Sequence, residues 1–134
     1  MRPMVLADTG PLYAAVDPDD QYHSRAQQEL HKLTQGGFMI LLAYSTLLET
    51  YTLVRYRLGY ATVRSWADEV TTGTVLINPT VEDYRMALTK IIAYPDQAIT
   101  LFDGVLAVLA ERLGNPVWTY DYHFDVMRLP VWRV

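Results

Sequence analysis

Two spacings of apolar residues alternate along the chain. Short uninterrupted runs read as strands buried on both faces, and segments with apolar residues every three or four positions read as helices with one face inward. Residues 4–7 are the first run, closed by Asp8-Thr9-Gly10-Pro11, a turn signal. Gly10-Pro11 opens a short helix through Val16. An Asp of the loop 17–20 caps a second helix reaching about Gln35, with Tyr22, Ala26, Leu30 and Leu33 at helical spacing and Gly36-Gly37 as its stop. Residues 38–42 form a second strand. A long helix over about 45–58 follows, with Leu47, Leu48, Tyr51 and Leu58 as its inward face. Residues 60–72 are helical, with Val63, Trp66, Ala67 and Val70 inside, and 74–77 are a third strand. A capping box, Thr80-x-x-Asp83, opens a helix over 80–93 with Asp83 at a solvated edge. Residues 100–113 are an almost wholly apolar helix, buried on most sides. Residues 117–119 form a fourth strand and 130–134 are a candidate fifth.

Short apolar strands separated by helices imply an α/β fold with a parallel sheet covered on both faces, and such sheets bind ligands beyond the carboxyl ends of their strands. The 134 residues suit one domain, 1–134, around one core. An apolar share of 51% with 19% charged residues marks a folded chain. The absence of cysteine excludes disulfides, zinc–thiolate sites and cysteine nucleophiles, and His23, His31 and His123 are too scattered for a zinc motif. The first residues make no signal peptide and the run 101–110 is too short to span a bilayer, so a soluble, cytoplasmic protein is expected. A net charge of −4 is not that of a protein that coats nucleic acid, but it leaves room for an enzyme that meets phosphates through a metal and a local arginine patch.

Four acids stand inside the most apolar stretches. Asp8 ends the first strand, Glu49 lies in Leu47-Leu48-Glu49, Asp103 interrupts the apolar helix, and Asp121 follows the fourth strand. A carboxylate near a core must be neutralised, hydrogen-bonded or paired with a cation. No lysine or arginine is near the first three in sequence, and a divalent cation is the simplest partner. Carboxylate oxygens suit Mg²⁺ and Mn²⁺. Each acid also has an ordinary reading: capping boxes for Thr100-x-x-Asp103 and Thr46-x-x-Glu49, an Asx-turn for Asp8, and a cap of a turn or short helix for Asp121. Four together, two of them ending strands of one parallel sheet, favour a shared cleft. Asp125 is a weaker fifth candidate, one helical turn after Asp121. The hydroxyls of Thr9 and Thr100 could hold a carboxylate or a bound water, with capping the simpler role for Thr100. His123 reads as a surface or packing residue. Arg55, Arg57 and Arg64 are candidates for a phosphate backbone, or form a solvated helix face.

The ordered set resembles the PIN-domain ribonucleases, in particular the VapC-type toxins of toxin–antitoxin pairs. Val5-Leu6-Ala7-Asp8-Thr9, Glu49, Thr100 with Asp103-Gly104-Val105-Leu106-Ala107, and Thr119-Tyr120-Asp121-Tyr122-His123-Phe124 carry the likeness, along with Asp17-Pro18-Asp19-Asp20 and His23. The resemblance covers nearly the whole chain. It implies a PIN-like, Rossmann-like three-layer α/β/α sandwich with a mostly parallel sheet of four to five strands. It also implies Mg²⁺- or Mn²⁺-dependent endoribonuclease activity with Asp8, Glu49, Asp103 and Asp121 as catalytic, metal-holding acids. A homodimer and a small antitoxin are implied as partners. The antitoxin would present an Arg or Lys to the cleft, and the face around Leu47 to Leu58 would support that contact or the dimer. Gly104 replaces the Ala more common in the family, which weakens the helix start.

Rival classes lack their marks. A phosphatase-type enzyme needs a second Asp two residues after the first, where Gly10 stands. It and a receiver-type protein both need a lysine near the end of a later strand, and Lys32 and Lys90 lie inside helices. No G-x-x-x-x-G-K-[ST] loop occurs. An inactive binding module of the same fold would not need four intact acids.

Overall fold

The computed structural model describes residues 2–134. Four strands, β1 (Met4–Ala7), β2 (Met39–Ala43), β3 (Val75–Ile77) and β4 (Val117–Trp118), form one sheet in the order β3-β2-β1-β4, every pair parallel. Seven helices surround it: α1 (Thr9–Val16), α2 (His23–Gln35), α3 (Tyr44–Leu58), α4 (Tyr60–Gly73), α5 (Val81–Ile92), α6 (Leu101–Leu113) and α7 (His123–Val126). The candidate fifth strand is reduced to a single bridge, Val131 on Val117, flanked by backbone bonds from Val117 to Pro130 and from Trp132 to Val117.

Successive side chains of a strand face opposite ways. Val5 and Ala7 of β1 join Leu12, Leu33, Val54, Trp66 and Trp118 in one apolar layer, supplied by α1 to α4. Leu6, between them, packs with Leu41, Ala87, Phe124 and the α6 run Val105 to Ala110 on the other side. The result is the expected α/β/α sandwich. Every residue of α6 from Asp103 to Ala110 is buried, which accounts for its nearly continuous apolar sequence.

Helix α3 departs from its apolar pattern. Its buried residues are Ser45, Thr46, Thr50 and Val54, while Leu48 is 66% exposed and Tyr51 also faces outward. The Thr50 hydroxyl bonds back to the Thr46 carbonyl, so the inward polar face is satisfied within the helix. No capping box forms at Thr46-x-x-Glu49, because α3 begins two residues earlier, directly from β2, with Ala43 as its N-cap. Nor does the 17–20 loop cap α2. Its N-cap is Tyr22, and Asp17 and Asp20 instead accept the backbone N–H groups of Asp19 and Tyr22 in Asx-turns.

Candidate active site

The sheet directs the acids to one place. Asp8 follows β1 as the N-cap of α1, Asp121 lies three residues past the end of β4, and α3 carries Glu49 away from the end of β2. Helix α6 enters the same end with Asp103 in its first turn. Asp8, Glu49, Asp103 and Asp121 all line a cleft of about 420 Å³ with Thr9, Thr100, Tyr120 and Tyr122.

Hydrogen bonds fix each carboxylate. Asp8 accepts the Thr9 backbone N–H at 2.8 Å and the Thr119 hydroxyl at 2.7 Å. The same Thr119 oxygen accepts the Asp121 N–H at 2.9 Å, so one side chain ties the ends of β1 and β4 together. Glu49 accepts the Thr9 hydroxyl at 2.5 Å, the carboxylate-holding role open to Thr9. Thr100 caps α6 in a complete capping box with Asp103. Asp121 closes an Asx-turn on the His123 N–H, the start of α7.

His123 is not a surface residue. Its Nδ1 lies 3.0 Å from Asp121 Oδ1 and 3.4 Å from Asp103 Oδ2, buried and without a hydrogen-bond partner. Asp103, Asp121 and His123 thus offer donor atoms within 4.8 Å of one another. Its two-residue offset from Asp121 was the available signal, because a tight turn returns i+2 toward i. Asp125 lies outside the cluster, exposed and paired with Arg133 at 2.7 Å. Arg55, Arg57 and Arg64 are exposed and none lines the cleft; Arg55 lies over Tyr60 and Arg57 over Tyr13.

No lysine or arginine forms an ion pair with Asp8, Glu49, Asp103 or Asp121 among the described residues. Burial, reinforced by the charge of Asp103, raises the Asp8 carboxyl to about 7 against the hydrogen bond from Thr119. Burial also raises Glu49 and Asp103, helped in each case by a neighbouring acid. Mutual repulsion of this kind is relieved by a cation. The residues fit a divalent metal: hard oxygen donors, one imidazole nitrogen buried without a partner, and a charge deficit.

Gly104 has a packing reason. A Cβ there would stand 2.7 Å from Ile91 Cγ2 and 3.1 Å from the Ala87 carbonyl, so its absence lets α5 lie close against the first turn of α6. The weak helix former at this position is required by the close approach of α5.

Three solved structures share this architecture. VapC20 of Mycobacterium tuberculosis, a sarcin–ricin loop cleaving toxin, superposes with a TM-score of 0.86 at 16% identity over 97% of this chain and 99% of its own. VapBC2 from Rickettsia felis, bound to a DNA fragment from its promoter, gives 0.75 at 14% identity, with 97% of each chain covered. The fold is that of the VapC-type PIN domains. FitAcB from Neisseria gonorrhoeae adds a third instance, at a TM-score of 0.68, 18% identity and 97% of each chain. No family model and no curated protein matches the sequence. In this PIN fold the acids come from β1, α3, α6 and the turn after β4, as their order in the sequence suggested.

Proposed function

We propose that residues 1–134 form one nuclease domain, a Mg²⁺- or Mn²⁺-dependent endoribonuclease acting as the toxin of a toxin–antitoxin pair. The observation that carries this reading is the convergence of four acids with no lysine or arginine partner in one cleft, two of them, Asp103 and Asp121, beside the buried Nδ1 of His123. The likeness to VapC20, a toxin that cleaves the sarcin–ricin loop, supports RNA as the substrate.

Asp103, Asp121 and His123 would hold the metal, with Asp8 and Glu49 completing the acidic set. A bound divalent ion supplies positive charge to the scissile phosphate and acidifies a water. Thr119 holds Asp8 and the Asp121 backbone in one register, and Thr9 orients Glu49. Both hydroxyls donate to carboxylates, which suits them to positioning the acids, and water is the nucleophile in this reading.

A toxin needs restraint. The acidic cleft accepts an Arg or Lys from a small basic-tailed antitoxin in place of the ion's charge. The outward face of α3, with Leu48 and Tyr51 exposed and Tyr56 at 84% exposure, offers apolar surface for that partner or for a homodimer. No helix of the described residues is long and apolar enough to cross a membrane.

The test is cleavage of total RNA by the purified chain with added Mg²⁺ or Mn²⁺ and with EDTA. Cleavage that requires the ion supports the reading, and robust cleavage in EDTA or none with either ion overturns it. Expression without toxicity and without a co-purifying partner would make the chain a housekeeping nuclease of the same fold.

A further inference from the structure

The cleft is acidic and its substrate is a polyanion, so some cation outside the metal site must hold the strand. None of the cleft-lining residues is a lysine or arginine. Four basic side chains elsewhere are held by acids: Arg112 by Asp83, Lys90 by Glu111, Arg133 by Asp125 and Arg85 by Glu82.

Arg25 differs. Its guanidinium lies 4.2 Å from the ring centroid of Tyr120, a residue of the cleft wall, and 5.8 Å from that of Tyr22. The two tyrosine rings are 5.0 Å apart. Its Nε is held at 3.3 Å by Glu29, while the side chain as a whole is 50% exposed. Glu29 itself is only 5% exposed and accepts three donors: Arg25, the Trp118 indole at 3.1 Å and the Tyr120 hydroxyl at 2.6 Å. A buried acid therefore holds the guanidinium by one nitrogen and makes no hydrogen bond to the other two. A planar cation fixed over aromatic rings has little rotamer entropy left to lose when it meets a phosphate. The exposed Lys32 shares the next groove with Arg25 and extends the positive charge away from the acids.

We propose that Arg25, spread on Tyr120 and held by Glu29, binds a backbone phosphate of the RNA strand beside the scissile bond. The inference rests on the ribonuclease reading and deepens it. Arg25 is a binding residue, Glu29 positions it, and Tyr22 and Tyr120 form its bed.

The probe is a fluorescein-labelled single-stranded RNA, bound to the Asp103→Asn chain at one fixed Mg²⁺ concentration while KCl is varied. Cleavage by the unaltered chain is followed in parallel. Adding Arg25→Ala is expected to weaken binding about tenfold at low salt and to reduce the slope of log affinity against log salt by about 0.7, one phosphate on a single strand. Arg25→Lys should keep the slope and lose part of the affinity. Arg25→Gln retains a donor for Glu29 without the charge, and it reads the same slope change if the alanine variant folds poorly. An unchanged slope in Arg25→Ala or Arg25→Gln, with RNA still bound and the unaltered chain still cleaving, overturns this assignment alone and leaves Arg25 as the structural partner of Glu29. A chain that neither binds nor cleaves RNA overturns the ribonuclease reading, and the inference with it.

Discussion

Helices α5 and α6 begin alike. Each opens with Thr-x-x-Asp, each threonine caps its helix, and each aspartate returns a bond to the threonine N–H in a complete capping box. Both aspartates are buried, Asp83 at 2% exposure and Asp103 at 8%. They differ in what stands opposite. Asp83 meets the Arg112 guanidinium through two nitrogens, at 3.0 and 2.7 Å, and this holds its carboxyl below the ordinary range. Asp103 meets Asp121 and a histidine, and burial drives it the other way. Apolar neighbours in the sequence therefore do not distinguish an acid of the cleft from one in a structural ion pair. Asp83, expected at a solvated edge, is the more buried of the two. The discriminating feature is the counter-ion, which in Asp83 comes from the next helix along the chain and in the cleft is missing.

Exchanging charge for amide at both boxes tests the contrast most strongly. Asn keeps an acceptor for the cap in either place. Asp103→Asn should lower kcat/KM for metal-dependent cleavage at least about 100-fold, the scale of a lost ligand to a catalytic ion, with the melting temperature of the metal-free chain unchanged or raised. Asp83→Asn should do the reverse, lowering the melting temperature with cleavage retained. Equal losses of activity in both would show that Asp103 is a cap and no more.

Removing the cation instead of the acid sharpens the same point. Arg112→Ala leaves the buried Asp83 with only its capping bonds and should lower the melting temperature measurably. The lowered carboxyl gives the sign with pH. The pair's contribution is complete above the unfolded aspartate value and is lost as pH falls through the lower folded one. The mutant and the parent should therefore converge in strong acid, and a difference that persists there would place the effect elsewhere.

Asp8 tilts stability the opposite way. Its folded value of about 7 lies above the ordinary 3.8, so the native state binds more protons between the two. The metal-free chain should lose stability as pH rises through that window. Asp8→Asn should remove this loss and gain about 1 kcal/mol at pH 8, after discounting for solvent access. Divalent ion should flatten the parent's curve too. A metal-free melting temperature that rises between pH 5 and 8 would contradict the deficit of positive charge. The smallest effect belongs to Asp125, whose pair with Arg133 is exposed at both ends. Asp125→Asn should change stability by less than about 0.5 kcal/mol and leave cleavage intact, and a large loss of activity would enlarge the site beyond the cleft.

Most of the fold was legible because its signals are local. Four apolar runs gave four strands to within a residue or two, and Gly and Pro marked the breaks. The four acids could be picked out, and their order gave their meeting point once the sheet was parallel. What escaped depended on distant partners. The most buried positions of α3 include Ser45, Thr46 and Thr50, which an apolar periodicity ignores, although Leu47 and Leu58 do pack against the core as expected. Glu29 looks like any solvated residue between Gln28 and Leu30, and nothing nearby announces that Trp118 and Tyr120 will close over it. Arg112 could not be assigned to Asp83 from a spacing of 29 residues. His123 looked like a packing residue because its role depends on a turn that brings it back toward Asp121.

The bond from Thr119 to Asp8 joins residues 111 positions apart, across strands that are neighbours in space and nearly opposite ends of the sequence. A polypeptide leaves the ribosome from its first residue onward. Until the segment beyond Val117 has emerged, β1 has no β4 beside it, Asp8 has no threonine to hold it, and Asp121 and His123 do not exist. The cleft is thus absent from the growing chain until β4 and the turn after it have emerged and paired with β1.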